Sequence, residues 1–225
     1  MKKILLGILI GLVILGLAGP IAADPKKAKE PVDKITFIHY RDGTVKGVGK
    51  AVKGPACYKL MGIKWQSLSI SYVINPEVDV NVILAATAEW DNHTGANIFD
   101  GYTVDNSANF DESPDERNEY SFGNYPQSGV IAVTRVWYTR YGKQIVEYDV
   151  MFDSDFNWGD ASQDPSKMDW QNIATHETGH GLGLADVYQS ACNQVTMYGY
   201  STEGEIIKRD LATPDIIGLQ KLYGI

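Results

Sequence analysis

Apolar and polar positions follow two periods along this chain, and each change of period marks a predicted element. Residues 4–18 come first and follow neither: Lys2 and Lys3 precede this apolar run, and Pro20-Ile21-Ala22-Ala23 closes it with small residues. That arrangement is an export signal, expected to be cut after Ala23. The competing reading is an uncleaved anchor, but Gly7, Gly11 and Gly16 interrupt the run, which is short against the ~20 apolar residues of a spanning helix. Residues 24–33, DPKKAKEPVD, are rich in proline and charge and read as a linker. Next, KITFIHYRDGTVKGVGKAV alternates on both sides of Asp42-Gly43, which predicts a hairpin, and Gly54-Pro55 ends that unit.

The body that follows, residues 57–225, is long enough for one well-buried core. SLSISYVIN puts Leu68, Ile70, Tyr72 and Ile74 on one face of a strand, and Pro76 stops it. Residues 78–94 carry Val82, Ile83, Ala86 and Trp90 at helical spacing, with Gly95 ending the pattern. Residues 106–127 are polar and without a period, so they are expected to form a long exposed loop. GVIAVTRVWYTRY, Gly142 and KQIVEYDVMF then read as β structure ending near Asp153. A second helix is predicted over residues 168–182, with Trp170, Ile173 and Ala174 ahead of two histidines. The class is α/β: a twisted mixed sheet with two long helices.

Charge narrows the partners. The formal net charge is −8, and removal of residues 1–23 takes away two lysines and no acid, leaving −10. Such a chain has no electrostatic case for nucleic acid. Acidic residues recur over residues 100–119 and 149–169, where calcium is a candidate ligand, although no ordered twelve-residue calcium loop is present. Cys57 and Cys192 are the two cysteines. In an exported chain one disulfide between them is the default, and the alternative is Cys57 as a thiolate zinc ligand that keeps a precursor inactive.

The chemistry concentrates in ATHETGHGLGLADVY, residues 174–188. Residues four apart on a helix share a face, so His176 and His180 can place imidazole nitrogens on one metal ion. Glu177 points beside that metal, where a carboxylate can take a proton from a metal-activated water and return it to a leaving amine. Gly183 lies three residues after His180, where a residue free to adopt positive φ lets the chain turn back beneath the metal. Asp186 then arrives as a third ligand. Two neutral imidazoles and one carboxylate form an established catalytic zinc set.

These residues resemble the extended zinc signature of the metzincin endopeptidases, H-E-x-x-H-x-x-G-x-x-H, with Asp186 in the last place. VTMYGY supplies the methionine turn of that group at Met197. The matrixin branch is the most similar: TMYGY resembles its Met-Tyr turn, LATPDIIGLQKLYG its C-terminal helix, IKWQSLSISYVIN its first strand, and EYDVMFDSDFNWG the strand before its active-site helix. The resemblance runs over residues 64–224. It implies an α+β zincin fold, with a small C-terminal subdomain holding the Met turn and a C-terminal helix. It also implies a secreted zinc endopeptidase, with His176, His180 and Asp186 as ligands, Glu177 as general base and Met197 as a hydrophobic floor.

Residues 57–225 are then a metzincin-type catalytic domain, and residues 24–56 a linker and short hairpin that is a candidate pro-segment. The third ligand of the family is usually histidine, and the aspartate is similar to the small snapalysin group. His39 and His93 are the only other histidines, so no second, structural zinc is implied. GPACYKLMG does not match the cysteine-switch motif of vertebrate propeptides.

Tyr198 and Tyr200 are candidates for lining a substrate pocket or steadying an oxyanion. The resemblance implies an extended peptide paired with the edge strand over residues 130–134. The expected partner is a protein or peptide substrate of a monomeric enzyme, with a membrane involved only if the N-terminal segment stays attached. Two alternatives differ in kind: a catalytically silent zincin-fold binding module at the cell surface, and a site whose third ligand is Glu203 or Glu205.

Overall fold

The computed structural model describes residues 30–41 and 56–225. The expected export signal and the second arm of the predicted hairpin lie outside the described residues. The central feature is a seven-stranded mixed sheet built from β1 (Val32–Arg41), β3 (Ile70–Ile74), β4 (Phe99–Val104), β5 (Glu119–Gly123), β6 (Val130–Thr139), β7 (Ile145–Asp153) and β11 (Tyr200–Ser201). Its strand order is β11-β1-β6-β7-β5-β3-β4. The β6–β7 and β1–β6 pairs are antiparallel; the others are parallel. Two small ladders flank it, β2 (Lys59–Leu60) with β10 (Leu184–Ala185) and β8 (Trp158–Gly159) with β9 (Met168–Asp169).

Helices α1 (Val80–Asp91) and α2 (Trp170–Gly181) pack against each other, and α2 lies against β6 and β7. Each begins at an aspartate whose carboxylate accepts a backbone N–H, Asp79 from Asn81 and Asp169 from Asn172, a cap worth about 1 kcal/mol. Trp90 of α1 is fully buried and its indole donates to Thr175 O of α2 at 2.9 Å, which fixes the two helices in register. Helix α3 (Thr213–Tyr223) closes the chain. Among the described residues no helix is long and apolar enough to cross a membrane.

The α/β class and the order of the main elements agree with the sequence reading, and four details differ. Helix α1 occupies the middle of the stretch 78–94. The linker reading of residues 24–33 ends early, since β1 already begins at Val32. Strand β4 forms at Phe99–Val104, where the sequence pattern gives no element. The expected loop 106–127 contains β5, a strand flanked by β7 and β3. Parallel strands buried on both faces normally read as apolar runs. In β5, Glu119 and Ser121 are buried polar residues instead: Ser121 Oγ donates to Val150 O, and Glu119 accepts from Asn109 N and pairs with Arg117. Ser121 meets its partner on a separate strand and Glu119 is buried between β7 and β3, so no local periodicity marks them.

The disulfide is present. Cys57 and Cys192 are joined with their Cα atoms 5.4 Å apart, across 135 residues, which removes Cys57 as a thiolate ligand. It anchors the start of the body to the loop beyond the metal-binding motif.

Candidate metal centre and active site

Helix α2 carries His176, Glu177 and His180, all with no solvent exposure. Between the two histidines stands Gly179, where an added Cβ would lie 2.4 Å from Met197 Sδ and 2.7 Å from the Trp90 ring. The absence of a side chain there lets Met197 pack directly under the histidine pair. Asp215 of α3 holds that turn in place, accepting from Thr196 N at 2.8 Å and Met197 N at 3.1 Å.

The helix stops at Leu182, and Gly183 takes φ +98°. A Cβ on Gly183 would sit 2.5 Å from Ile63 O, so both the backbone angle and the close strand approach require glycine. The chain then passes through β10 and delivers Asp186. Its Oδ1 lies 3.2 Å from His176 Nε2 and 3.4 Å from His180 Nε2.

The histidine tautomers follow from their second nitrogens. His176 Nδ1 lies 2.7 Å from Thr196 O and His180 Nδ1 2.9 Å from Leu184 O. A carbonyl only accepts, so each Nδ1 carries the proton and each Nε2 presents its lone pair to the site. Tyr188 donates to Asp186 Oδ2 at 2.9 Å, which leaves Oδ1 to face the imidazoles. His176 Nε2, His180 Nε2 and Asp186 Oδ1 are all buried with no hydrogen-bond partner. Three orphaned donors spaced this way fit a zinc ion: bonds of about 2.0–2.1 Å in a tetrahedron give edges of roughly 3.4 Å, with one corner left for a non-protein ligand.

Charge and burial set the protonation. Burial pushes His176 down to about 4. Burial would lower His180 too, but the Asp186 carboxylate raises it above its ordinary value. For Asp186 burial works upward, yet the two histidines hold it well below the usual carboxylate range. Burial raises Glu177, whose Oε2 accepts from Thr134 Oγ1 at 2.5 Å and whose Oε1 is 2.9 Å from His39 Nδ1.

Tyr200 lies in β11, and its ring packs against Tyr188 at 5.3 Å and Tyr198 at 5.8 Å, beside Asp186. Glu203 pairs with Arg41, and Glu205 with Lys208; neither joins the histidine pair. His93 pairs with Glu89 at the end of α1. Away from the histidines, Asp111, Glu119 and Asp149 bring carboxylate oxygens within 4.8 Å of one another.

The edge of β6 is not open as the sequence reading supposed. Strand β1 pairs along it, with Phe37 opposite Thr134 and His39 opposite Ala132. His39, Thr134, Tyr188 and Asp215 were not singled out from sequence. For His39 and Thr134 the only local sign is a polar residue on the inward face of an alternating strand. Tyr188 and Asp215 sit inside motifs already noted, without anything that marks their partners.

The family model for matrixins matches residues 64–224. Stromelysin-1 of Equus caballus is 36% identical over 77 residues, 34% of this chain and 15% of the relative. Metalloendoproteinase 1 of Glycine max is 40% identical over 79 residues, 33% of this chain and 25% of the relative. Matrilysin of Homo sapiens is 37% identical over 76 residues, 34% of this chain and 27% of the relative. The matched stretches therefore span about a quarter or less of these relatives. The family match, by contrast, runs from ahead of β3 to the penultimate residue and takes in the histidine pair, the turn at Met197 and α3: the chain belongs to the matrixin family.

Proposed function

We propose that this chain is an exported zinc-dependent endopeptidase that hydrolyses internal bonds of protein or peptide substrates. The observation that carries the reading is the convergence of three buried, unpartnered donors, His176 Nε2, His180 Nε2 and Asp186 Oδ1, beside the Glu177 carboxylate. Zinc bound there supplies a Lewis acid that makes water nucleophilic near neutral pH and polarises a carbonyl.

Glu177 is the base. Thr134 holds Oε2, so Oε1 is the oxygen that takes a proton from the attacking water and hands it to the departing amine. Its burial, which raises its proton affinity, suits both halves of that task. Asp186 serves as the third ligand in the place where the family usually carries histidine, and Tyr188 steadies its outer oxygen. An extended substrate pairs with the β6 edge in the place that β1 holds in this structure, and Tyr198 and Tyr200 line the neighbouring wall. Export rests on the pattern of residues 2–23.

A hard cation such as calcium fits the cluster of Asp111, Glu119 and Asp149: the donors are all oxygen, and Asp149 Oδ1 is buried without a partner. Arg117 already lies 2.9 Å from Glu119 Oε1 and competes for that oxygen.

The test is Glu177→Ala. It is expected to keep one zinc per chain and lose cleavage of a denatured protein such as casein, and retained cleavage would sink the reading.

A further inference from the structure

We propose that β1 is an internal inhibitory strand: it fills the slot that an extended substrate requires, and His39 latches the general base. The inference rests on Glu177 being that base.

The slot lies between β6 and β11. Strand β1 runs antiparallel to β6 over its whole length and parallel to β11 at Tyr40 and Arg41, so it uses the hydrogen-bonding edge that an added peptide strand would use. Phe37 and His39, two apart, point to the same face. The Phe37 ring stacks on His180 at 3.9 Å between centroids and 11° between planes, and the His39 ring lies 4.0 Å from His176. His39 Nδ1 reaches Glu177 Oε1 at 2.9 Å. With Thr134 on Oε2, both oxygens of the base are engaged, and neither is left for a water or a leaving amine.

The strand is built to leave. Of its ten residues His39 alone is buried. Its ion pairs, Lys34 with Glu112, Arg41 with Glu203 and Asp33 with Arg140, all lie at the surface, where each contributes little. The one buried side chain of the strand is thus the one that meets the base. One cut in the connection between Arg41 and Ala56 would turn β1 from a tethered segment into a dissociable peptide and remove its high effective concentration.

The full-length zinc-loaded chain is compared with His39→Ala, His39→Asn and Thr36→Pro. The readouts are kcat/KM on a fluorogenic peptide, zinc stoichiometry, and backbone hydrogen exchange of β6 measured without metal. Loss of a charge-assisted hydrogen bond predicts that His39→Ala raises kcat/KM by roughly tenfold or more, with zinc retained and faster exchange in β6. Thr36→Pro breaks the ladder from an exposed position that touches neither Glu177 nor the donors, and is expected to act the same way. His39→Asn keeps a donor for Glu177 and stays nearer the parent.

Unchanged kcat/KM and unchanged β6 exchange in both His39→Ala and Thr36→Pro would overturn the inference. If every form binds zinc and none cleaves, it is the peptidase reading that fails, and β6 exchange still decides whether β1 leaves the slot.

Discussion

Gly183 is where backbone geometry and metal chemistry meet, and Gly183→Ala tests both. The residue holds φ +98°, and an added Cβ would come 2.5 Å from Ile63 O. Placing an L side chain in the left-handed region costs about 1–2 kcal/mol, and forcing it into a packed backbone adds about 1–3 kcal/mol. The sum is about 2–5 kcal/mol, or roughly 4–20 °C in melting temperature for a domain of this size. Gly62→Ala is the control, because Gly62 has φ +79° with nothing within 4 Å of an added Cβ, so it bears the backbone cost alone. Both variants are melted with the disulfide intact, and zinc affinity is measured by chelator competition. Since Gly183 steers the chain to Asp186, its variant is also expected to bind zinc at least about tenfold more weakly. If Gly183→Ala melts no lower than Gly62→Ala and binds zinc like the parent, the account of how Asp186 reaches the site is wrong.

Three further outcomes are expected. Tyr188→Phe removes the donor to Asp186 Oδ2 and should weaken zinc binding by about 10–100-fold with little change in melting without metal; equal affinity would show that Asp186 is held by something else. The buried acids make stability depend on pH: burial lifts Glu119 and Glu147 to about 7 and Asp149 to about 9. Because these values exceed those of the unfolded chain, folding keeps protons that the unfolded state releases, and stability falls as pH rises from about 4 toward 9. A calcium ion bound at the proposed cluster would take the place of those protons, so it should raise the melting temperature more at pH 8 than at pH 5, and an equal or absent shift would count against the cation site. Cys57→Ser opens a loop of 135 residues and should cost about 2–5 kcal/mol in urea titrations, with zinc binding at low temperature preserved.

The chain announces its chemistry locally. His176, Glu177, His180, Gly183 and Asp186 lie within eleven residues, and helix periodicity with one glycine exit is enough to bring the donors together. Strands β6 and β7 were legible for a similar reason, since alternation and a short connection specify a hairpin.

What sequence could not contain is pairing across distance. Strand β5 reads as a polar loop, because Ser121 finds its partner in Val150, and Glu119 its buried place between β7 and β3, only after the sheet forms. His39 is separated from Glu177 by 138 residues, and nothing near either one points to the other. Local spacing thus determined that His176, His180 and Asp186 converge beside Glu177, because that depends on one helix and one turn. Tertiary structure decided which strand occupies the β6 edge and which side chain engages the base, because strand order and long-range hydrogen bonds are settled by burial and chain closure, for which adjacent residues carry no period.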